Sequence, residues 1–211
     1  MTSTADHTIT RMPGDERRQQ ILEEAMRLFS EDGFRGTTTK QIAAAAGISE
    51  AMVFKHFANK EELYAAILDH KACQHNLGDP LEAIREPISN KDDWGVFHGM
   101  ALNALRKHQE DKDFIRLLLY SALEGHDLAR MFFESSVTGM YDALGSYIRS
   151  RQEDEVFRVM EPKAVVRAFV GMLIHHSITT ILFDPGQKIL KMSEEEAAEA
   201  FATVLLKGVT K

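Results

Sequence analysis

The stretch TTTKQIAAAAGISEAMVFKHF, residues 37–57, constrains this chain more than any other. Gly47 separates two short segments with apolar patterning. A helix that must stop abruptly, so that a second can cross it at roughly 90–120°, is best ended by a residue that enters the left-handed conformation without a Cβ penalty. Ala43, four residues earlier, is small enough to let the second helix approach. Ile42, Ala46, Ile48 and Val53 supply a buried wedge, and Phe57 closes its end. Thr38 with Gln41 three residues later fits a capping box, which starts the first helix near Thr39. The spacing therefore predicts a helix-turn-helix. With Val53 and Phe57 inward, Glu50, Ala51, Phe54 and Lys55 lie on the opposite side, and Ser49 to Lys55 form the surface that a major groove would receive. A plain helical hairpin is the blander alternative, but it has no need of glycine, alanine and wedge residues in register.

Around this centre the chain reads as all-α, with about nine helices. Ile21, Ala25, Leu28 and Phe29 form a helical stripe after Arg17, and Gly33 ends it, which gives a first helix at about 15–32. Asn59-Lys60-Glu61-Glu62 caps a fourth helix, carried by Leu63, Tyr64, Ile67 and Leu68 to about Asn76. Asp79-Pro80 could begin another, and PLEAIREPISNKDD is the best candidate for an irregular connection. Helical segments follow at about 93–110, 113–124 and 127–152. One more opens at Glu161-Pro162 and ends near Phe183, before Asp184-Pro185-Gly186. A last one is capped by Ser193 and Glu196 and runs to about Val209. The expected division is a flexible arm at 1–14, a three-helix helix-turn-helix head at 15–60 and a helical body at 61–211, to which the family resemblance described below adds ligand binding and dimerisation.

Charge discriminates by position. The formal net charge is −7, yet residues 1–60 hold eight Lys/Arg and eight Asp/Glu, which cancel, so the body carries the whole excess. An acidic body beneath a neutral head repels DNA everywhere except at the head. Neutrality also argues against a sequence-indifferent DNA binder, which depends on counterion release over many phosphates. The N-terminus lacks a basic start and an apolar centre, and Cys73 is the single cysteine; both suit the cytosol. The apolar run AFVGMLI stops at His175-His176, well short of the ~18 residues that suggest a membrane span.

From Arg17 to Leu68 the sequence resembles the N-terminal domain of TetR-family (AcrR-like) transcriptional regulators, through ILEEAMRLFSEDGFRGTTTKQIA, AGISEAMVFKHF and NKEEL. That resemblance implies DNA contacts from Thr39, Lys40, Ser49, Glu50, Ala51, Met52, Phe54, Lys55, His56 and Lys60. Lys40 and Lys55 suit phosphate or guanine; Thr39, Ser49, His56 and Lys60 suit phosphate oxygens. Arg17 and Arg18 would add backbone affinity. Two departures stand out. Phe54 occupies a position that is usually tyrosine in the family, and so lacks a phenol. Glu50 repels phosphate but can accept from cytosine N4.

In the body, Trp94, Phe97, Phe114, Leu118, Met131, Phe132, Met140 and Tyr141 offer large, adaptable apolar side chains. Each would be core in any helical protein, but together they suit a pocket for a mainly apolar or aromatic effector. Glu124, Asp127, Glu134 and Asp142 leave room for a cation. His175 and His176 diverge by about 100° on a helix and cannot chelate one ion together, so one of them is expected at the pocket edge. Val166, Phe169, Val170 and Leu173, with Ala198, Phe201, Ala202 and Leu205, give two apolar stripes. They suit either an ordinary core or, as the resemblance implies, a four-helix interface of a homodimer. The reading is a homodimeric, ligand-responsive regulator, a repressor by family custom, that binds a pseudo-palindromic double-stranded operator. The rival is an enzyme or small-molecule carrier with a vestigial helix-turn-helix. No phosphate loop, nucleophile elbow or metal-spaced set supports that rival, and no cofactor or metal is expected.

Overall fold

The computed structural model describes residues 14–73, 81–189 and 191–211. Residues 1–13 of the expected arm, the run of the fourth helix to Asn76 and the Asp79-Pro80 start lie outside them, and Gly14, the last residue of that arm, opens the first helix. Every regular element described is helical; the one β-contact is an isolated bridge between Phe157 and Thr210. The chain divides into two compact units, one ending at His70 and the other beginning at Lys71, so the division falls within a helix.

In the first unit, α1 (Gly14–Gly36) is broken at Gly33, whose φ of +72° is left-handed, and a short turn carries on to Gly36. Helices α2 (Thr39–Ala45), α3 (Glu50–His56) and α4 (Lys60–Cys73) follow. The expected capping box is present: Thr38 Oγ1 accepts from the Gln41 amide, and the Gln41 side chain accepts from the Thr38 amide. Ile21, Leu22, Ala25 and Phe29 of α1 are buried with Ile42, Ala43, Ala46, Val53, Phe57, Leu63 and Ile67. Tyr64 packs edge-on against both Phe29 and Phe34, with ring centroids 4.9 and 5.0 Å apart.

In the second unit the segment expected to be irregular is helical instead: a 3-10 turn, Glu82–Ile84, leads into α5 (Arg85–Ser89) and seats Ile84 in the core. The other helices are α6 (Asp93–Glu110), α7 (Lys112–Glu124), α8 (Asp127–Phe132), α9 (Thr138–Glu153), α10 (Pro162–Ile178) and α11 (Glu194–Val209). A π-turn, Phe133–Val137, joins α8 to α9, and a second, Thr179–Phe183, extends α10. Counting α8–α9 as one rod leaves ten helices among the described residues, one more than expected. Phe97 of α6 meets Phe169 of α10 edge-on at 5.3 Å, at the centre of a core that α9 and α11 complete.

That core takes up most of the residues expected at the dimer interface. Val166, Phe169, Ala198 and Ala202 are fully buried within the chain itself, and Leu173 and Leu205 nearly so; only Val170 and Phe201 keep partial exposure. A single chain already uses these stripes to pack α10 and α11 against α6. The outward faces carry other residues, among them Gly171, Ile174 and Val204. The 22 residues Pro162–Phe183 are, by length and composition, apolar enough to cross a membrane, because the π-turn prolongs the run past AFVGMLI. Val165, Val166, Phe169 and Leu173 are nevertheless committed to the core.

Candidate functional site

Two places on the chain have the makings of a site. The first is the outer face of α3. Gly47 takes a φ of +64° between α2 and α3, as an abrupt helix stop requires. Ser49 caps α3, its hydroxyl accepting from the Met52 amide at 3.3 Å. Val53 and Phe57 are buried, and Lys40, Ser49, Glu50, Ala51, Met52, Phe54 and Lys55 are exposed, Phe54 by 47%. Thr39 and His56 are half-exposed. Thr39 donates its hydroxyl to Glu50 Oε1 at 2.5 Å, which joins the start of α2 to the start of α3 and fixes where that carboxylate stands. Lys60 directs its ammonium to the carbonyls of Phe34 and Thr37, at 2.8 and 3.0 Å, and lies over the Phe34 ring. That makes it a clasp on the end of α1. Arg18 stacks on Phe57 with its guanidinium 4.6 Å from the ring centre, and Arg17 donates to Gln20.

The second is a cavity of about 390 Å³ inside the second unit, enclosed by α6, α7, the α8–α9 rod and α10. Of the residues expected there, Phe114, Leu118, Phe132, Met140 and Tyr141 line it. The others do not. Phe97 is core; Trp94 is exposed and stacks on His98; Met131 and His175 face outward; and His176 packs on Phe201 with its Nε2 buried and unpartnered. The carboxylates expected to attract a cation are engaged elsewhere. Asp127 and Glu134 pair with Arg130, and Asp142 pairs with Lys163.

Apart from the Tyr141 hydroxyl, the polar residues of the cavity were not singled out by sequence: Asn103, Lys107, His108, Asp111, Ser136 and Ser177. Asp111 caps α7, with Oδ1 accepting from the Phe114 amide, while its Oδ2 binds the buried Lys71 ammonium of α4 at 2.6 Å. His108 Nδ1 lies 2.7 Å from Ser177 Oγ, and burial pushes the imidazole down to about 4, so it is neutral near pH 7. The one available signal was periodic. On α6, His108 follows Met100 and Ala104 at helical spacing, a polar residue in an otherwise apolar stripe. The first π-turn borders the cavity: Phe133, Ser136 and Val137 stand on its wall beside Phe132, the last residue of α8. Among the described residues no group of three or more His, Cys, Asp or Glu could hold a metal ion.

Residues 21–67 match the family model described as "Bacterial regulatory proteins, tetR family". The HTH-type transcriptional regulator YvkB of Bacillus subtilis is 27% identical over 193 residues, which cover 91% of this chain and 96% of YvkB. The HTH-type transcriptional repressor NicS of Pseudomonas putida is 32% identical over 93 residues, but these cover only 40% of this chain and 44% of NicS. Among solved structures, NalD of Pseudomonas aeruginosa, the secondary repressor of the MexAB-OprM multidrug efflux pump, superposes with a TM-score of 0.68 at 20% identity, covering 94% of this chain and 99% of that one. At that identity the likeness speaks for the fold alone, whereas the match at 21–67 speaks for the head. The head of this chain is a helix-turn-helix domain of the TetR regulator superfamily.

Proposed function

We propose that this protein is a ligand-responsive, AcrR-like transcriptional repressor that acts as a homodimer on a pseudo-palindromic operator. The observation that carries the reading is the pairing, on one chain, of an exposed α3 face with a largely apolar cavity of effector size. In this reading residues 15–60 bind DNA and residues 61–211 bind effector and partner subunit. Thr39, Lys40, His56 and the exposed residues of α3 make the DNA contacts. Repression is favoured because NicS and NalD are both repressors. The cytoplasm, where the operator lies, is its place of action.

The outer faces of α10 and α11 are the dimerisation surface. Val204 is 60% exposed, and a side chain could sit over Gly171 without meeting any atom of its own chain. A two-fold pair of heads matches a two-fold operator. Regulation needs an effector that favours the dimer with its heads wrongly spaced, and by reciprocity operator DNA then weakens effector binding equally. Helix α4 is the lever, since it runs through the division between units and its Lys71 is bonded to Asp111 on the cavity wall.

The test is a hydrophobic compound library screened by thermal shift on the full chain. Compounds that raise Tm should release the protein from its selected operator at similar concentrations, because binding stabilises by mass action. If only phosphorylated or strongly anionic compounds release DNA, the cavity is not the effector site. A reporter driven by the operator should rise when the protein is deleted; a fall would make it an activator.

A further inference from the structure

The cavity wall carries a group whose hydrogen-bonding role is set by its neighbours, and that role selects among apolar ligands. Ser177 Oγ lies 3.0 Å from the Leu173 carbonyl one turn earlier and 2.7 Å from His108 Nδ1. A hydroxyl has one hydrogen. If it went to Nδ1, two bare acceptors, Oγ and the carbonyl oxygen, would face each other at 3.0 Å in a buried place. With the hydrogen on the carbonyl, Nδ1 must carry the ring proton and donate it to Oγ. His108 is neutral near pH 7, so its other nitrogen, Nε2, is then a lone-pair acceptor and cannot donate. Nε2 has no hydrogen-bond partner among the described residues, nor is it among the sealed, unpartnered atoms of the core.

Few other groups on the wall make this demand. Ser136 and Tyr141 hydroxyls and the Asn103 amide can donate or accept, so they fit either kind of ligand. Asp111 is acceptor-only, but one oxygen is held by Lys71 and the other by the Phe114 amide. Lys107 is donor-only and would favour an anion, which makes a carboxylate the competing chemistry. We infer that the effector is a neutral, mainly apolar molecule bearing one hydroxyl, phenol or N–H donor, which it gives to His108 Nε2. This rests on the reading of the cavity as the effector site and narrows the class of molecule it takes.

Three probes of nearly equal size test it by calorimetry on the full chain at pH 7.5: 4-hexylphenol, its methyl ether 4-hexylanisole, and 4-hexylbenzoate. The phenol should bind about tenfold more tightly than the ether, near the upper end of the net worth of one hydrogen bond. It should also bind more tightly than the benzoate. In His108→Phe the phenol should lose that advantage while the ether binds within about twofold of its wild-type affinity. Ser177→Ala, which frees the ring to change tautomer, should shrink the ratio in a chain whose core is otherwise intact. Nitrogen-15 NMR of the unliganded protein should show Nδ1 protonated and Nε2 bare.

Equal binding of phenol and ether to the wild type, an advantage that survives in His108→Phe, or preference for the benzoate would each overturn the inference and leave the cavity as the effector site. The cavity reading has its own control. Ala104→Trp fills the space and should abolish binding of all three; if the probes bind that variant unchanged, or none binds the wild type, the cavity reading falls and this inference with it.

Discussion

At the scale of single residues, Glu50 on the α3 face and His108 on the cavity wall carry the sharpest consequences. The Thr39 hydroxyl holds the Glu50 carboxylate at the edge of the α3 face, so its repulsion of phosphate is fixed in direction. Glu50→Gln should change preference at one base position by ~1–3 kcal/mol in a site-selection assay, and Thr39→Val should reproduce part of that change by releasing the carboxylate. Equal loss on every sequence would assign Glu50 a general electrostatic part instead. His108 has a stability consequence whose sign is fixed. Its pKa is near 4 in the folded chain and 6.5 when unfolded, so between those values the unfolded state binds the extra proton. Its contribution is complete above pH 6.5 and is lost as pH falls towards 4, by about 3 kcal/mol at most. Urea denaturation at pH 7 and pH 5 should show this loss, and it should be smaller in His108→Gln.

At the scale of elements, the helix boundaries that sequence could place were those marked by local chemistry. Thr38 with Gln41, Ser193 with Glu196, Pro162 at a helix start and the left-handed Gly33 and Gly47 each satisfy or end backbone hydrogen bonding within a few residues, and each stands where its local pattern put it. Gly47→Ala should therefore cost about 1–2 kcal/mol, read as a lowered Tm, from the strained φ alone, since nothing lies within 4 Å of the added Cβ. A Tm unchanged by that substitution would mean that the turn relaxes freely. The π-turns at Phe133–Val137 and Thr179–Phe183 were illegible, because one extra residue in a turn shifts the apolar phase without any residue type that announces it. The partner of an apolar stripe was equally illegible. Val166, Phe169, Ala198 and Ala202 read alike whether they meet their own chain or a second one, and only the packed core decides between the two. Five of the ten expected cavity residues line it because large apolar side chains gather there, whereas Trp94 and Phe97 have the same chemistry on other faces of α6.

At the scale of the whole molecule, the proposal requires that two chains meet through the outward faces of α10 and α11. Val204→Glu would bury an unpaired carboxylate in that interface, at several kcal/mol, while leaving the chain's own core untouched. Sedimentation should show a folded monomer with weakened operator binding; an intact dimer would move the interface elsewhere. Phe169→Glu is the useful contrast, since it should unfold the second unit outright. The claim beneath all of these is that the head reads a specific two-fold sequence. Selection of bound sites by the full chain from a random duplex pool tests it most directly. The account predicts enrichment of one inverted repeat, lost when Ser49 and Lys55 are replaced by alanine; a pool that stays random after repeated rounds, with no preferred half-site, would contradict it.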